Sequence, residues 1–256
     1  MQTVQQGGAG SVVLEFDGAI ACVQLRNPSK FNAMSRAMWL QLKAVFESIQ
    51  QSQARCVLVS GEGLNFCAGG DISEYPSFRF DAEALAYFHE TQVWGGLSAM
   101  LQCDVPIVAA IAGNCMGAGV EIASCCDVRV AGHSAKFGAP IARLGFPMAP
   151  REAGLVSDAL GGNVARAMLL AAEIYPADRL LATGFLTRAT TDADVYAQSL
   201  NMARRIAALA PAAARRNKQT LRTSAFAPDA QTYSYADSPE HREGIAAFLN
   251  KRTPEF

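Results

Sequence analysis

The stretch Pro106-Ile107-Val108-Ala109-Ala110-Ile111-Ala112, followed by Gly113-Asn114-Cys115-Met116-Gly117-Ala118-Gly119-Val120-Glu121, decides the fold. An apolar run of strand length enters a turn of small residues, and a carboxylate stands just beyond it. The same arrangement occurs earlier, where Cys56-Val57-Leu58-Val59-Ser60 leads to Phe66-Cys67-Ala68-Gly69-Gly70-Asp71. Two such turns can aim two backbone N–H groups at one point, the geometry that stabilises a developing oxyanion. Glu121 is placed to move a proton there.

Working outward, strand signals precede these units. Val12–Phe16 and Ala19–Leu25 flank Asp17-Gly18, which predicts a hairpin. Ser35 caps a predicted helix from Arg36 to about Gln51, with Met38, Leu42, Val45, Phe46 and Ile49 on one face. A helical region is expected from about Phe80 to Gln102, another from Gly117 to Cys125, and a short strand over Asp127–Ala131. Strand-turn-helix units in this order predict α/β architecture with a largely parallel sheet. Successive helices follow over Gly154–Leu160, Asn163–Ala171, Ala177–Thr183 and Asp192–Leu209. A last helix, Ser238 to Leu249, opens on a cap followed by proline. The division expected is a core over 1–200 and a helical C-terminal region over 201–256, which covers the core as a lid or makes an oligomer contact.

Composition narrows the function classes. The chain has 256 residues, half of them hydrophobic, and a formal net charge of -1. That supports a sizeable core and offers no electrostatic footprint for nucleic acid or a membrane surface. Met1 to Gly10 carries no signal-peptide pattern. Seven cysteines lie in apolar runs or small-residue turns without a Cys-x-x-Cys pair, which points to reduced thiols in a cytoplasmic protein. The three histidines show no metal-ligand spacing, so no metal is expected. Neither glycine turn carries a dinucleotide fingerprint or a Gly-Lys-Ser/Thr P-loop.

The order of motifs carries more information than any one of them. Asn32-Ala33 follows Pro28-Ser29-Lys30-Phe31. Then come the Phe66–Ile72 turn, Pro106, Gly113-x-x-x-Gly117-Ala118-Gly119-x-Glu121, Cys126-Asp127, Phe137-Gly138-x-Pro140 and Leu144-Gly145. In this order the chain resembles the crotonase (enoyl-CoA hydratase/isomerase) superfamily over essentially its whole length, through Glu243-Gly244-Ile245 to Arg252. The resemblance implies a crotonase-like fold of repeated ββα units forming a spiral core. It also implies an acyl-CoA thioester as substrate, coenzyme A being part of that substrate rather than a separate cofactor, and a homotrimer or dimer of trimers.

Carried over residue by residue, the resemblance makes the N–H groups of Gly70 and Ala118 the oxyanion hole for a thioester enolate, and Glu121 the first catalytic carboxylate. The backbone around Ala68 and Ile72 would hold the adenine end of CoA. Lys30 and Lys251 would meet its phosphates, with a solvated-surface role as the plain alternative for both. The chain departs from the pattern at Ile141, where the family's hydratases carry a second glutamate, and at Phe146-Pro147-Met148-Ala149-Pro150-Arg151-Glu152, which replaces a glycine-rich loop. Glu152 reads as a helix-start carboxylate, with a substitute acid as the alternative; Asp71 and Asp127 read as structural groups, and His89 and His133 as surface or packing residues, with an approach to the crevice as the alternative. Three functions follow: a single-base hydratase or isomerase using Glu121; a decarboxylase or other lyase acting on a malonyl-type acyl-CoA; and a catalytically impaired acyl-CoA-binding homologue.

Overall fold

The computed structural model describes residues 10–222 and 232–256. The N-terminal reading made on Met1 to Gly10 therefore lies outside the described residues, apart from Gly10. Nine strands run β1 (Ser11–Asp17), β2 (Ile20–Arg26), β3 (Cys56–Gly61), β4 (Ile107–Ile111), β5 (Asn114–Met116), β6 (Val128–Gly132), β7 (Lys136–Gly138), β8 (Ile174–Pro176) and β9 (Arg188–Thr190). The larger sheet has the order β1-β2-β3-β4-β6-β9. The β1–β2 hairpin is antiparallel and every later pairing in that sheet is parallel. The smaller sheet, β5-β7-β8, pairs β5 with β7 in parallel and β7 with β8 antiparallel.

Strand, short strand, helix is the repeating unit. β4 and β5 lead to α4 (Ala118–Ser124), preceded in the chain by α1 (Arg36–Gln50), α2 (Ala82–Tyr87) and α3 (Trp94–Gln102). β6 and β7 lead to α5 (Pro150–Leu160). Helices α6 (Gly162–Leu170), α7 (Ala177–Ala182), α8 (Val195–Ala207), α9 (Pro211–Arg222) and α10 (Pro239–Leu249) complete the chain. β3 and β4 are buried along almost their whole length, as parallel strands covered on both faces must be. Ser35 caps α1 by accepting from the Met38 N–H, and Met38, Trp39, Leu42, Phe46 and Ile49 enter the core. Six of the seven cysteines are buried and all are free thiols; burial pushes Cys56, Cys67 and Cys126 up to about 12, where they stay protonated and unreactive. Among the described residues no helix is long and apolar enough to cross a membrane.

Two features differ from the sequence reading. Helix α9 was not foreseen, because its face buries no residue. It is held by polar links instead: Lys218 pairs with Asp127 at 2.8 Å, Arg222 pairs with Asp104 at 2.6 Å, and Arg215 donates to the Ala54 carbonyl at 3.0 Å. Between α2 and α3 the chain widens into a π-helical segment, Phe88–Val93. Segments of this kind frequently accompany functional sites.

The two glycine turns are tied edge to edge. The Cys67 N–H donates to the Asn114 carbonyl at 2.9 Å and the Met116 N–H to the Cys67 carbonyl at 2.8 Å, a parallel bridge between Cys67 and Cys115. Asn65 Oδ1 accepts from both the backbone and the side chain of Asn114. Buried Asn32 holds the first turn from the other side: Nδ2 donates to the Glu62 and Asn65 carbonyls and Oδ1 accepts from the Asn27 N–H. Gly119 allows a close approach, since a Cβ there would lie 2.6 Å from the Cys67 carbonyl oxygen. Asn32→Ala leaves one buried and two part-buried backbone groups without their partners, a loss of about 2–3 kcal/mol. Urea unfolding will show a midpoint lowered accordingly.

Candidate active site

Both turns open onto one cavity of about 60 Å³, lined by Gly70, Gly117, Ala118, Glu121, Ile141 and Glu152 together with Trp39, Tyr75, Arg79, Phe88, His89 and Phe146–Ala149. The sequence-predicted Gly70, Ala118, Glu121 and Ile141 thus come together. The Gly70 and Ala118 N–H groups have no hydrogen-bond partner among the described residues. At Ala118 the reason is positional: it is the first residue of α4, whose opening N–H groups have no intrahelical acceptor. At Gly70 the neighbours are engaged instead, Gly69 and Asp71 bonding Met34 on either side. Tyr75 stands with its hydroxyl directly against Gly70, where any side chain would collide with it.

Glu121 projects from a helix that is buried from end to end. Among the described residues its carboxyl makes no hydrogen bond. Desolvation, and then the negative charge of Glu152, push it up from 4.5 to about 8. At neutral pH it therefore carries its proton.

Glu152 and His89 meet at the cavity, the second-ranked of the two sequence readings for each. Glu152 does lie in the first turn of α5, but it is only 2% exposed and faces the cavity. His89 Nδ1 meets its Oε1 at 3.1 Å, while Oε2 is buried with no partner. His89 is carried by the π-helical segment, and the contact is doubled at the rim by Arg151 with Glu90 at 3.3 Å. A helix-start glutamate and an isolated histidine give no pattern in sequence. The signal available was the replaced loop, whose only charged residues are Arg151 and Glu152. His133, by contrast, is exposed as expected.

The predicted CoA-contacting residues lie apart from this cavity. Lys30 is 44% exposed and bonded to Asp71 at 2.7 Å and to Ser73 Oγ at 2.7 Å. These bonds, outweighing desolvation, hold Asp71 below the usual carboxylate range. Asp127 is structural too, accepting from the Ile107 N–H at 2.7 Å. Ala68 donates to the Phe31 carbonyl, and Ile72, 53% exposed, lines a wider chamber beside the cavity. Lys251 is exposed at the end of α10 and lines neither space.

This arrangement of ββα repeats with paired glycine turns is the crotonase fold. A family model for enoyl-CoA hydratase/isomerase matches residues 15–256, and the chain belongs to that family of acyl-CoA enzymes. It is 30% identical to the 2,3-dehydroadipyl-CoA hydratase of Escherichia coli (strain K12), over 93% of this chain and 94% of that one. It is 26% identical to the short-chain-enoyl-CoA hydratase of Clostridium acetobutylicum, over 96% and 97%. A solved structure of an enoyl-CoA hydratase/carnithine racemase from Magnetospirillum magneticum superposes with a TM-score of 0.91 at 34% identity, covering 96% of this chain and 94% of that one.

The raised Glu121 value has a measurable consequence. A carboxyl held above its unfolded value contributes stability that is full below about 4.5 and lost as pH rises through about 8. Glu121→Gln stays neutral throughout. It will match the parent protein near pH 4.5 and exceed it at pH 8 by one to several kcal/mol, each tenfold in proton affinity being worth about 1.4 kcal/mol. Urea melts at the two pH values check this.

Proposed function

We propose that the protein hydrates a 2-enoyl-CoA with Glu121 and Glu152 as its proton-transfer pair. The observation that carries this reading is the presence of two buried carboxyls in one cavity with two unpartnered N–H groups. Ile141 cannot move a proton, and Glu152, delivered from the next helix, takes the missing place. The sequence reading cast Glu121 as the base. Its raised value makes it the proton donor instead, and Glu152, oriented by His89, the acceptor.

In this mechanism the thioester carbonyl accepts from the Gly70 and Ala118 N–H groups. Glu152 removes a proton from water as the water oxygen bonds to Cβ. The π-electron pair moves to Cα and on to the thioester oxygen, which becomes an enolate held by the two N–H groups. A donor of this kind is worth roughly 2.7–4 kcal/mol in the transition state. Collapse of the enolate draws the Glu121 proton onto Cα. The exchange of one proton in and one out leaves the pair ready to be reset by transfer through solvent.

The test is loss of the conjugated-enoyl absorbance of crotonyl-CoA. Glu121→Gln and Glu152→Gln are each expected to lower kcat by about 10²–10⁴. An Glu152→Gln enzyme with unimpaired kcat overturns the pair. Because the acid form of Glu121 is required, kcat falls as pH rises through about 8; a rise there would make Glu121 the base. Release of CO2 from methylmalonyl-CoA, with no turnover of enoyl thioesters, would replace hydration by the lyase reading.

A further inference from the structure

Arg79 is the one strong cation lining the cavity among the described residues, and the wider chamber of about 540 Å³ beside it has Arg79 in its wall as well. Its guanidinium lies 3.6 Å from the Phe146 ring centroid and 4.5 Å from that of Tyr75. The two rings meet nearly edge to face, with centroids 6.0 Å apart, so they form a corner that fixes the cation. Yet among the described residues this guanidinium donates no hydrogen bond and has no carboxylate within ion-pair distance. Other partly buried arginines of the fold are satisfied. Arg129 donates to the Phe185 and Ala123 carbonyls, and Arg36 to Gln92. Burial presses the Arg79 guanidinium below its usual value, a sign of a charge stripped of water without full compensation.

Apart from Tyr75 and His89, the rest of the chamber wall is mainly apolar, with Ile72, Pro76, Phe80, Leu85, Leu144 and Phe146. A neutral acyl chain lying there would cover the guanidinium and leave its donors unmet, at a cost. A carboxylate at the end of that chain would meet them in a planar, two-pronged, charge-assisted pair. The phosphates of the nucleotide are a poor match for so apolar a wall, and Arg79 lines the same cavity as the proton-transfer pair, on the reacting side of the thioester.

We propose that Arg79 is a specificity residue that receives a second carboxylate, so that the substrates are half-thioesters of dicarboxylic acids. This rests on the cavity being an acyl-CoA site, as proposed above, but not on the hydration chemistry. Equilibrium binding tests it without turnover. Succinyl-, glutaryl- and adipyl-CoA are titrated against butyryl-, pentanoyl- and hexanoyl-CoA, which match them in carbon number, with free CoA alongside.

At least one dicarboxylic thioester is expected to bind ten-fold or more tightly than its neutral counterpart. Arg79→Met should abolish that preference, and Arg79→Lys, which keeps the charge and loses the fork, should retain part of it. Equal binding of both series by the parent protein overturns the proposal, and that comparison needs no variant. An Arg79→Met loss shared equally by both series and by free CoA overturns it too, and assigns the cation to the phosphates. If neither series nor free CoA binds, the acyl-CoA reading itself fails. If dicarboxylic thioesters bind preferentially while enoyl thioesters are not hydrated, only the hydration chemistry fails.

Discussion

The site depends on a single backbone contact, the parallel bridge that joins the turn after β3 to strand β5 through Cys67, Asn114 and Met116. Each turn alone is an ordinary strand-to-helix connection. Bonded together, they bring two N–H groups to one cavity and leave both without a protein acceptor. The contact tolerates nothing larger than glycine at 119, and it is braced by Asn32 and Asn65, whose amides bond the loops on either side. These are polar groups placed where water is excluded, so each lost partner costs more than a surface hydrogen bond would. The position of the two free N–H groups is thereby set by the core, not by flexible loops.

This dependence explains what was legible in the chain. The hairpin, the Ser35 cap, the alternation of strand and helix and the paired turns are all local patterns, and each occurs where the residues place it. Gly70, Ala118, Glu121 and Ile141 share a cavity because the motif that contains them is also the motif that builds the fold. Glu152 and His89 carry no such mark. A glutamate in the first turn of a helix is favoured there by the helix dipole whatever its task, and only the packing of α5 against α4 turns it inward. His89 reaches it from a π-helical widening that no periodicity announces. The tie between Lys30 and Asp71, 41 residues apart, likewise leaves no mark in the sequence. Helix α9 escaped because polar links hold it in place of an apolar face.

Positions 141 and 152 reach the cavity by different routes. At 141 the side chain enters from the short helical turn that follows β7, next to Pro140; at 152 it enters from a full helix and is held by a histidine. The loop between them carries Pro147 and Pro150, which stiffen it. Its rings and apolar groups, Phe146, Pro147 and Met148, close the cavity and keep water from shielding the two carboxyls.

That exclusion of water determines the protonation state in which the site waits. Two carboxyls in a space of this size cannot both be ionised at low cost, because each desolvated charge raises the energy of the other. Desolvation, and then the charge of Glu152, favour the protonated form of Glu121, whose carboxyl has no hydrogen-bond partner among the described residues, while Glu152 meets the His89 ring. Arg79 stands outside this pair: its field favours negative charge in the cavity, and it lines both the cavity and the wider chamber beside it.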